Sequence, residues 1–277
     1  MSPSRGTGQA PVPSGRHSHL CVLSLAPLER DARVLRQIQL GQDLGYRVTA
    51  IAWGRLDRQR AGVALKPVAP WRFGRAARAA QALLVAAGRV DASAWRRWYW
   101  RKPDHAAALD AIHADPPDLI HANEAIALPA AVRGAADTGA RLLFDAHELS
   151  LDQRKGRRVE HRLAAPLYQW LLETYAPRCD AMITVSPRIA AIYARELGVA
   201  CGVVRNAPPY RAAPFRCTDP HCIRLVHHGM ALRGRRLEAF DADAATFGDE
   251  DGHLLHGLGC SQRQGCSALG GRDEGQD

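Results

Sequence analysis

The sequence predicts an α/β protein built on a doubly wound parallel sheet. Two observations carry that prediction. Along residues 19–206, short apolar runs of strand length alternate with longer segments of helical periodicity, and turn residues separate most of them. Strand–helix–strand repeats of this kind close as right-handed crossovers on a parallel sheet. A third observation sets the scale. A chain of 277 residues with 47% hydrophobic and 23% charged residues is long enough for one large or two ordinary domains around a packed core.

Residues 20–25 form the first apolar run. Residues 29–44 then place Val34, Leu35, Ile38 and Leu44 at helical spacing and end at Gly45, a good C-cap. Residues 46–53 read as a second strand and 63–68 as an edge strand. Two Arg- and Ala-rich helical stretches follow at 73–88 and 92–114. The rhythm repeats with a strand at 118–122, a helix at 125–137 closed by Gly139, and a strand at 141–146. A helix at 159–175, a strand at 180–185, a Pro-initiated helix at 187–197 and a strand at 200–205 complete the series.

The flanks have different compositions. Residues 1–18 are rich in Pro, Gly, Ser and Arg and carry no apolar signal region, so a disordered tail and a cytoplasmic, intracellular chain are expected. Apolar stretches such as 79–87 are far shorter than the roughly 20 residues of a membrane span. The first domain is therefore assigned to 19–206, and 207–222, with Pro208, Pro209 and Pro214, reads as a linker. A new strand begins at Ile223 and the pattern runs to Glu238, which marks the start of a second domain. From 239 to 277 there is no Val, Ile, Met, Pro, Trp or Tyr, and eight of 39 residues are Gly. Disorder is expected there. An abrupt break inside a helical pattern suggests a reading-frame shift that truncates the second domain.

Charge follows the same division. Residues 1–238 carry 35 basic and 20 acidic groups, a net +15, whereas 239–277 carry 2 and 8, a net −6. A basic body of this kind suits an anionic partner: a phosphorylated substrate, an anionic membrane surface or a nucleic acid. The seven cysteines follow no disulfide-framework spacing. The group Cys217, His221, Cys222, His227 and His228 lies in the Pro-rich linker and the following strand without a Cys-x-x-Cys pair, so no metal is expected.

Nucleotide fingerprints are absent. No G-x-G-x-x-G follows a strand and no P-loop occurs. Ligand chemistry is then expected at the carboxyl ends of the strands. The residues gathered there are Asp31 and Arg33, the run His121-Ala122-Asn123-Glu124, the run Asp145-Ala146-His147-Glu148, Ser186, and Asn206.

The segments DARVLRQIQLGQDLGYRVTAIAWG, PDLIHANEAIALPAA, LLFDAHEL, DAMITVSPRIAAIYARELG, VVRNAP and LVHHGMALRGRRLE, in that order, resemble glycosyltransferase family 4, of the GT-B superfamily. The resemblance covers about residues 19–238. It implies a Rossmann-like N-terminal domain that holds the acceptor, facing a second domain that grips a nucleotide-sugar donor. It also implies hexosyl transfer with retention onto a glycan or lipid-linked acceptor, and no cofactor or bound metal. His147 matches the position used at the reaction centre, and is the catalytic candidate. Asp31, Arg33, His121, Glu124, Glu148, Ser186 and Asn206 would line the cleft, and Arg235 would contact the donor diphosphate. Asp31 could equally serve as a helix N-cap. The sequence departs from the family in lacking a glycine pair after the first strand and a Glu-x7-Glu pair anywhere. A chain so altered is expected to bind donor poorly and to be inactive. A non-catalytic acceptor- or membrane-binding remnant is the second reading of the sequence.

The segment Trp95, Arg96, Arg97, Trp98, Tyr99, Trp100, Arg101 interleaves aromatics with cations. This suits a membrane interface, with rings at headgroup depth and guanidiniums on lipid phosphates, and places the chain peripherally on the inner face of the cell membrane. Packing of the Trp rings into the domain is the competing reading. Nucleic-acid binding draws on the same residue types, but no nucleic-acid-binding signature accompanies them, so no nucleic-acid partner is expected.

Overall fold

The computed structural model describes residues 18–54, 62–70, 74–150, 159–207, 210, 212, 244–248 and 254–258. The chain divides into two units, Met1–Pro208 and Pro209–Asp277. The expectations for residues 1–17, for most of the linker and for 223–238, Arg235 among them, lie outside the described residues.

The first unit is a seven-stranded, fully parallel sheet in the order β3-β2-β1-β4-β5-β6-β7. Its strands are β1 His19–Pro27, β2 Arg47–Trp53, β3 Val63–Pro67, β4 Leu119–Asn123, β5 Arg141–Ala146, β6 Ala181–Thr184 and β7 Cys201–Val203. The helices are α1 Ala32–Asp43, α2 Arg75–Ala87, α3 Ala92–Trp100, α4 Pro103–Ala114, α5 Leu128–Thr138, α6 Val159–Tyr175 and α7 Pro187–Leu197. The order reverses between β1 and β4, which pair in register from Leu20↔Leu119 to Ser24↔Asn123. That reversal is the switch point at which open α/β sheets bind ligands.

Local chemistry sets the ends of the elements. The helix expected over 29–44 is a 3₁₀ turn, Leu28–Arg30, followed by α1, because Asp31 caps α1 with Oδ1 3.0 Å from the backbone N–H groups of both Arg33 and Val34. Ser186 caps α7 through the N–H of Ile189. The stretch expected as one helix over 92–114 is two. Lys102 is extended at φ −88° and ψ 120°, as a residue before proline must be, and Pro103 opens α4 at its first position.

Two apolar clusters flank the sheet. One joins Leu23, Ile51, Ile120 and Phe144 to α3–α7 through Tyr99, Ile112, Leu128, Leu171 and Tyr193. The other joins Leu20, Val22, Val48 and Ala50 to Val34 and Ile38 of α1. Among the described α-helices, α1 alone contributes to this second cluster, with Leu28 of the preceding 3₁₀ turn beside it. It sits close on the strands: a Cβ on Gly41 would lie 2.6 Å from Leu20 Cδ2.

Trp95 and Trp98 belong to the first cluster, at 7% and 9% exposure. Trp95 donates its indole N–H to Val85 O at 2.9 Å and packs on Trp170. This corrects the expectation that both rings face a membrane. The α3 face that carries them packs against α2 and α6 within that cluster, where burying an indole is more favourable than leaving it in water. Arg96, Arg97, Trp100 and Arg101 are exposed.

In the second unit, β8 Ala244–Gly248 and β9 Leu254–Leu258 form an antiparallel pair in register Ala244↔Leu258 to Gly248↔Leu254. The expectation of disorder throughout 239–277 is corrected there. A ladder is closed by backbone N–H and C=O groups, which the lack of Val and Ile does not remove.

Candidate functional site

Five strands of the first unit deliver polar residues to one rim of the sheet, and their centre is a residue that the sequence reading left outside its site. Asp145, the fifth residue of β5, is fully buried. Arg33, in the first turn of α1, meets it with both arms: Nε lies 2.7 Å from Oδ2 and Nη2 lies 2.9 Å from Oδ1. The third nitrogen of Arg33 donates to Val204 O at 2.8 Å, and Gln37, one turn further along α1, adds Nε2 to Asp145 Oδ2 at 2.7 Å. Burial by itself would raise the Asp145 carboxyl, but the neighbouring His121 and Arg33 outweigh it and hold the group below the ordinary carboxylate range. A buried carboxylate with a bidentate guanidinium is the arrangement that a low-dielectric site tolerates best.

Two histidines face the same carboxylate. Nε2 of His121 and Nε2 of His147 each lie 3.8 Å from Asp145 Oδ2. His121 comes from β4 and is 91% buried, and its Nε2 makes no hydrogen bond. His147, just beyond β5, is partly exposed. Its Nε2 is 2.8 Å from Asn123 Oδ1 and its Nδ1 is 3.9 Å from Asp31 Oδ2. The loop that carries it is tied down from α7, where the Tyr193 hydroxyl donates to Glu148 O at 2.8 Å and accepts from the Ser150 N–H at 3.0 Å.

The structure thus brings Asp31, Arg33, His121 and His147 together around Asp145. Glu124 follows β4 on the same rim, exposed, with φ +64° and ψ 154°. Asn206 is reached from α1 by the guanidinium of Arg36. Glu148 is exposed, and the Ser186 hydroxyl serves as the α7 cap. Asp145 and Asn123 stood in the runs read at the strand ends without being given a role in the site. Gln37 is the member that sequence reasoning missed, with no signal beyond its position four residues after Arg33.

A cavity of about 510 Å³ opens beside α1, with Leu20, Leu119, Leu143 and Ile183 along its wall and Arg33, His121 and Asp145 at its polar end. Its size and mostly apolar lining are those of a small-molecule pocket. Among the described residues, no group of three or more His, Cys, Asp or Glu is placed to hold a metal ion. No described helix is long and apolar enough to cross a membrane.

Three solved structures are similar to parts of this chain. UGT89C1 of Arabidopsis thaliana, complexed with UDP-L-rhamnose, is similar at 12% identity and a TM-score of 0.46, over 72% of this chain and 54% of that one. Alr3699/HepE of Anabaena, in complex with UDP and glucose, is similar at 14% identity and a TM-score of 0.43, over 69% and 44%. Sucrose-phosphate synthase of Thermosynechococcus elongatus is similar at 14% identity and a TM-score of 0.44, over 68% and 47%. The chain spans about half the length of these structures. No curated protein matches it. The family described as Glycosyltransferase Family 4 matches residues 33–208, from the arginine of the buried pair to the end of the first unit. That match covers more than half of the sequence, and the chain belongs to glycosyltransferase family 4.

Proposed function

We propose that this chain supplies the acceptor side of a glycosyltransferase that moves a hexosyl group from a nucleotide-sugar to a glycan or lipid-linked acceptor, with retention. Besides the family, one observation carries the reading. His147 is held at the carboxyl rim of the switch point by Asn123, partly exposed and 3.9 Å from the Asp31 carboxylate. In hexosyl transfer the bond from the anomeric carbon to the diphosphate oxygen breaks and a bond to the acceptor oxygen forms. The acceptor proton leaves with the diphosphate, and charge builds on an oxocarbenium-like sugar. A neutral imidazole and a carboxylate on the rim suit the hydroxyls and the developing positive charge of such a sugar. His147 is the catalytic residue in this reading, and Asp31, Glu124 and Asn206 line the cleft. No cofactor or metal enters it. Transfer by this chain alone is expected to be weak, because the sequence holds no Glu-x7-Glu pair for the donor.

The test is transfer of labelled hexose from UDP- and GDP-sugars to saccharide and polyprenyl-linked acceptors, with wild type and His147→Ala compared in a chain competent for turnover. The variant should lose most of the turnover while binding nucleotide as well as wild type does. Undiminished turnover would remove His147 from the reaction. Saccharide binding without transfer in any such chain would replace catalysis by acceptor binding alone.

A further inference from the structure

Asn123 closes β4 with its side chain buried. Its Nδ2 donates to Leu23 O at 3.3 Å and to His121 O at 3.4 Å. Carbonyl oxygens only accept, so these two contacts settle which end of the amide is which. The atom left facing His147 Nε2, at 2.8 Å, is Oδ1. An amide oxygen has no hydrogen to give, so the hydrogen in that contact belongs to Nε2. In a neutral imidazole the other nitrogen, Nδ1, then carries a lone pair. Nδ1 lies 3.9 Å from Asp31 Oδ2. The other Asp31 oxygen is already occupied by the N–H groups of Arg33 and Val34. Two acceptors therefore stand side by side on the partly exposed rim.

We propose that Asn123 is a positioning residue that fixes neutral His147 with its proton on Nε2, so that Nδ1 and Asp31 Oδ2 meet a hydroxyl-bearing ligand as a pair of hydrogen-bond acceptors. The nature of that ligand rests on the saccharide reading above, whereas the tautomer rests on contacts within this chain. The reverse tautomer would press the Nε2 lone pair against Asn123 Oδ1 and leave a buried acceptor unpaired. The charged groups facing the ring are Asp31 at the start of α1 and Asp145 on β5, the latter matched by Arg33. Across the Asp145 carboxylate lies His121 of β4.

Nitrogen-15 NMR of the His-labelled chain, without ligand and above the imidazole titration, reads the tautomer directly through long-range ring couplings. The expected His147 pattern is a protonated Nε2 and a bare Nδ1. A proton on Nδ1, or an even mixture, overturns the proposal. Asn123→Leu removes the amide oxygen at nearly the same volume, and His147 should then show a mixture of the two tautomers in the same couplings. An unchanged, pure Nε2–H pattern in folded Asn123→Leu also overturns it. If that variant does not fold, the wild-type spectrum still decides. Absence of sugar transfer with the Nε2–H tautomer intact would count against the glycosyltransferase reading and not against the role of Asn123.

Discussion

The Arg33 guanidinium and the Asp145 carboxylate lie fork to fork, with contacts of 2.7 and 2.9 Å, and with their side chains at 7% and 0% exposure. The pair joins α1 to β5 beneath both rim histidines, so it positions the site as well as the fold. Removing one partner leaves the other charge buried and alone. Asp145→Asn is expected to destabilise the chain by about 3–5 kcal/mol, and Arg33→Met by a similar amount. The joint replacement Arg33→Met with Asp145→Leu should recover a large part of that loss. Urea unfolding of the three variants measures the coupling. Strict additivity in the joint variant would mean that the two side chains do not act as a pair.

Stability should begin to fall in mild acid, and His105 sets where. Its ring is buried against Tyr99, with centroids 4.0 Å apart, and its Nδ1 makes no hydrogen bond. Burial, with a smaller push from Lys102, drives its pKa down to about 3. The unfolded chain takes up that proton near pH 6.5. Between about 6.5 and 3 the unfolded state thus holds more protons, and stability drops as pH falls, by up to about 1.4 kcal/mol per pH unit. The lowered carboxyls of Asp145 and Asp115, the latter held down chiefly by the Arg47 hydrogen bond, add a second loss below the ordinary carboxylate range. Urea midpoints from pH 7 to 5 should decline in wild type and stay nearly level in His105→Asn. Equal slopes would absolve His105.

Glu124 is the only non-glycine with positive φ among the described residues. At φ +64° and ψ 154° it occupies a region that suits glycine, at a cost of about 1–3 kcal/mol. Its neighbours hold it there, since its N–H donates to Asp145 O at 3.1 Å and its carbonyl accepts from the Ala127 N–H at 3.1 Å. Glu124→Gly should therefore raise the urea midpoint relative to Glu124→Ala, which keeps the strain and loses the carboxylate. In the proposed function both variants weaken acceptor binding alike. A glycine variant no more stable than the alanine variant would show that the backbone bears no strain there.

Much of this was legible in the sequence, for reasons that the structure makes specific. Alternating periodicity located every strand of the sheet, because a parallel strand buried on both faces reads as a short apolar run whatever its partners. The rim residues Asp31, Arg33, His121 and His147 were legible because they lie at or after the carboxyl ends of strands. What stayed hidden was pairing. Arg33 and Asp145 are 112 residues apart, and nothing local in DARVL or LLFDA announces that one neutralises the other. The aromatic segment failed differently. Trp95, Trp98 and Trp100 share one short helix, and the choice between core and water depends on which face of α3 the neighbouring helices receive.

That choice yields a discriminating membrane experiment. Arg96, Arg97, Trp100 and Arg101 remain exposed on and just after α3, and the Lys102 ammonium sits 3.9 Å from the centre of the Trp98 ring. If this surface contacts an anionic leaflet, each arginine near the headgroups contributes about 1 kcal/mol. Arg96→Glu with Arg97→Glu should then weaken co-sedimentation with phosphatidylglycerol vesicles by at least tenfold, and Trp100→Ala should weaken it less. Trp95→Ala should instead lower stability by about 3–5 kcal/mol, because its indole fills the core. At temperatures where that variant stays folded, it should bind vesicles as wild type does. Vesicle binding that survives both glutamates, or that disappears in folded Trp95→Ala, would place the membrane contact elsewhere on the chain.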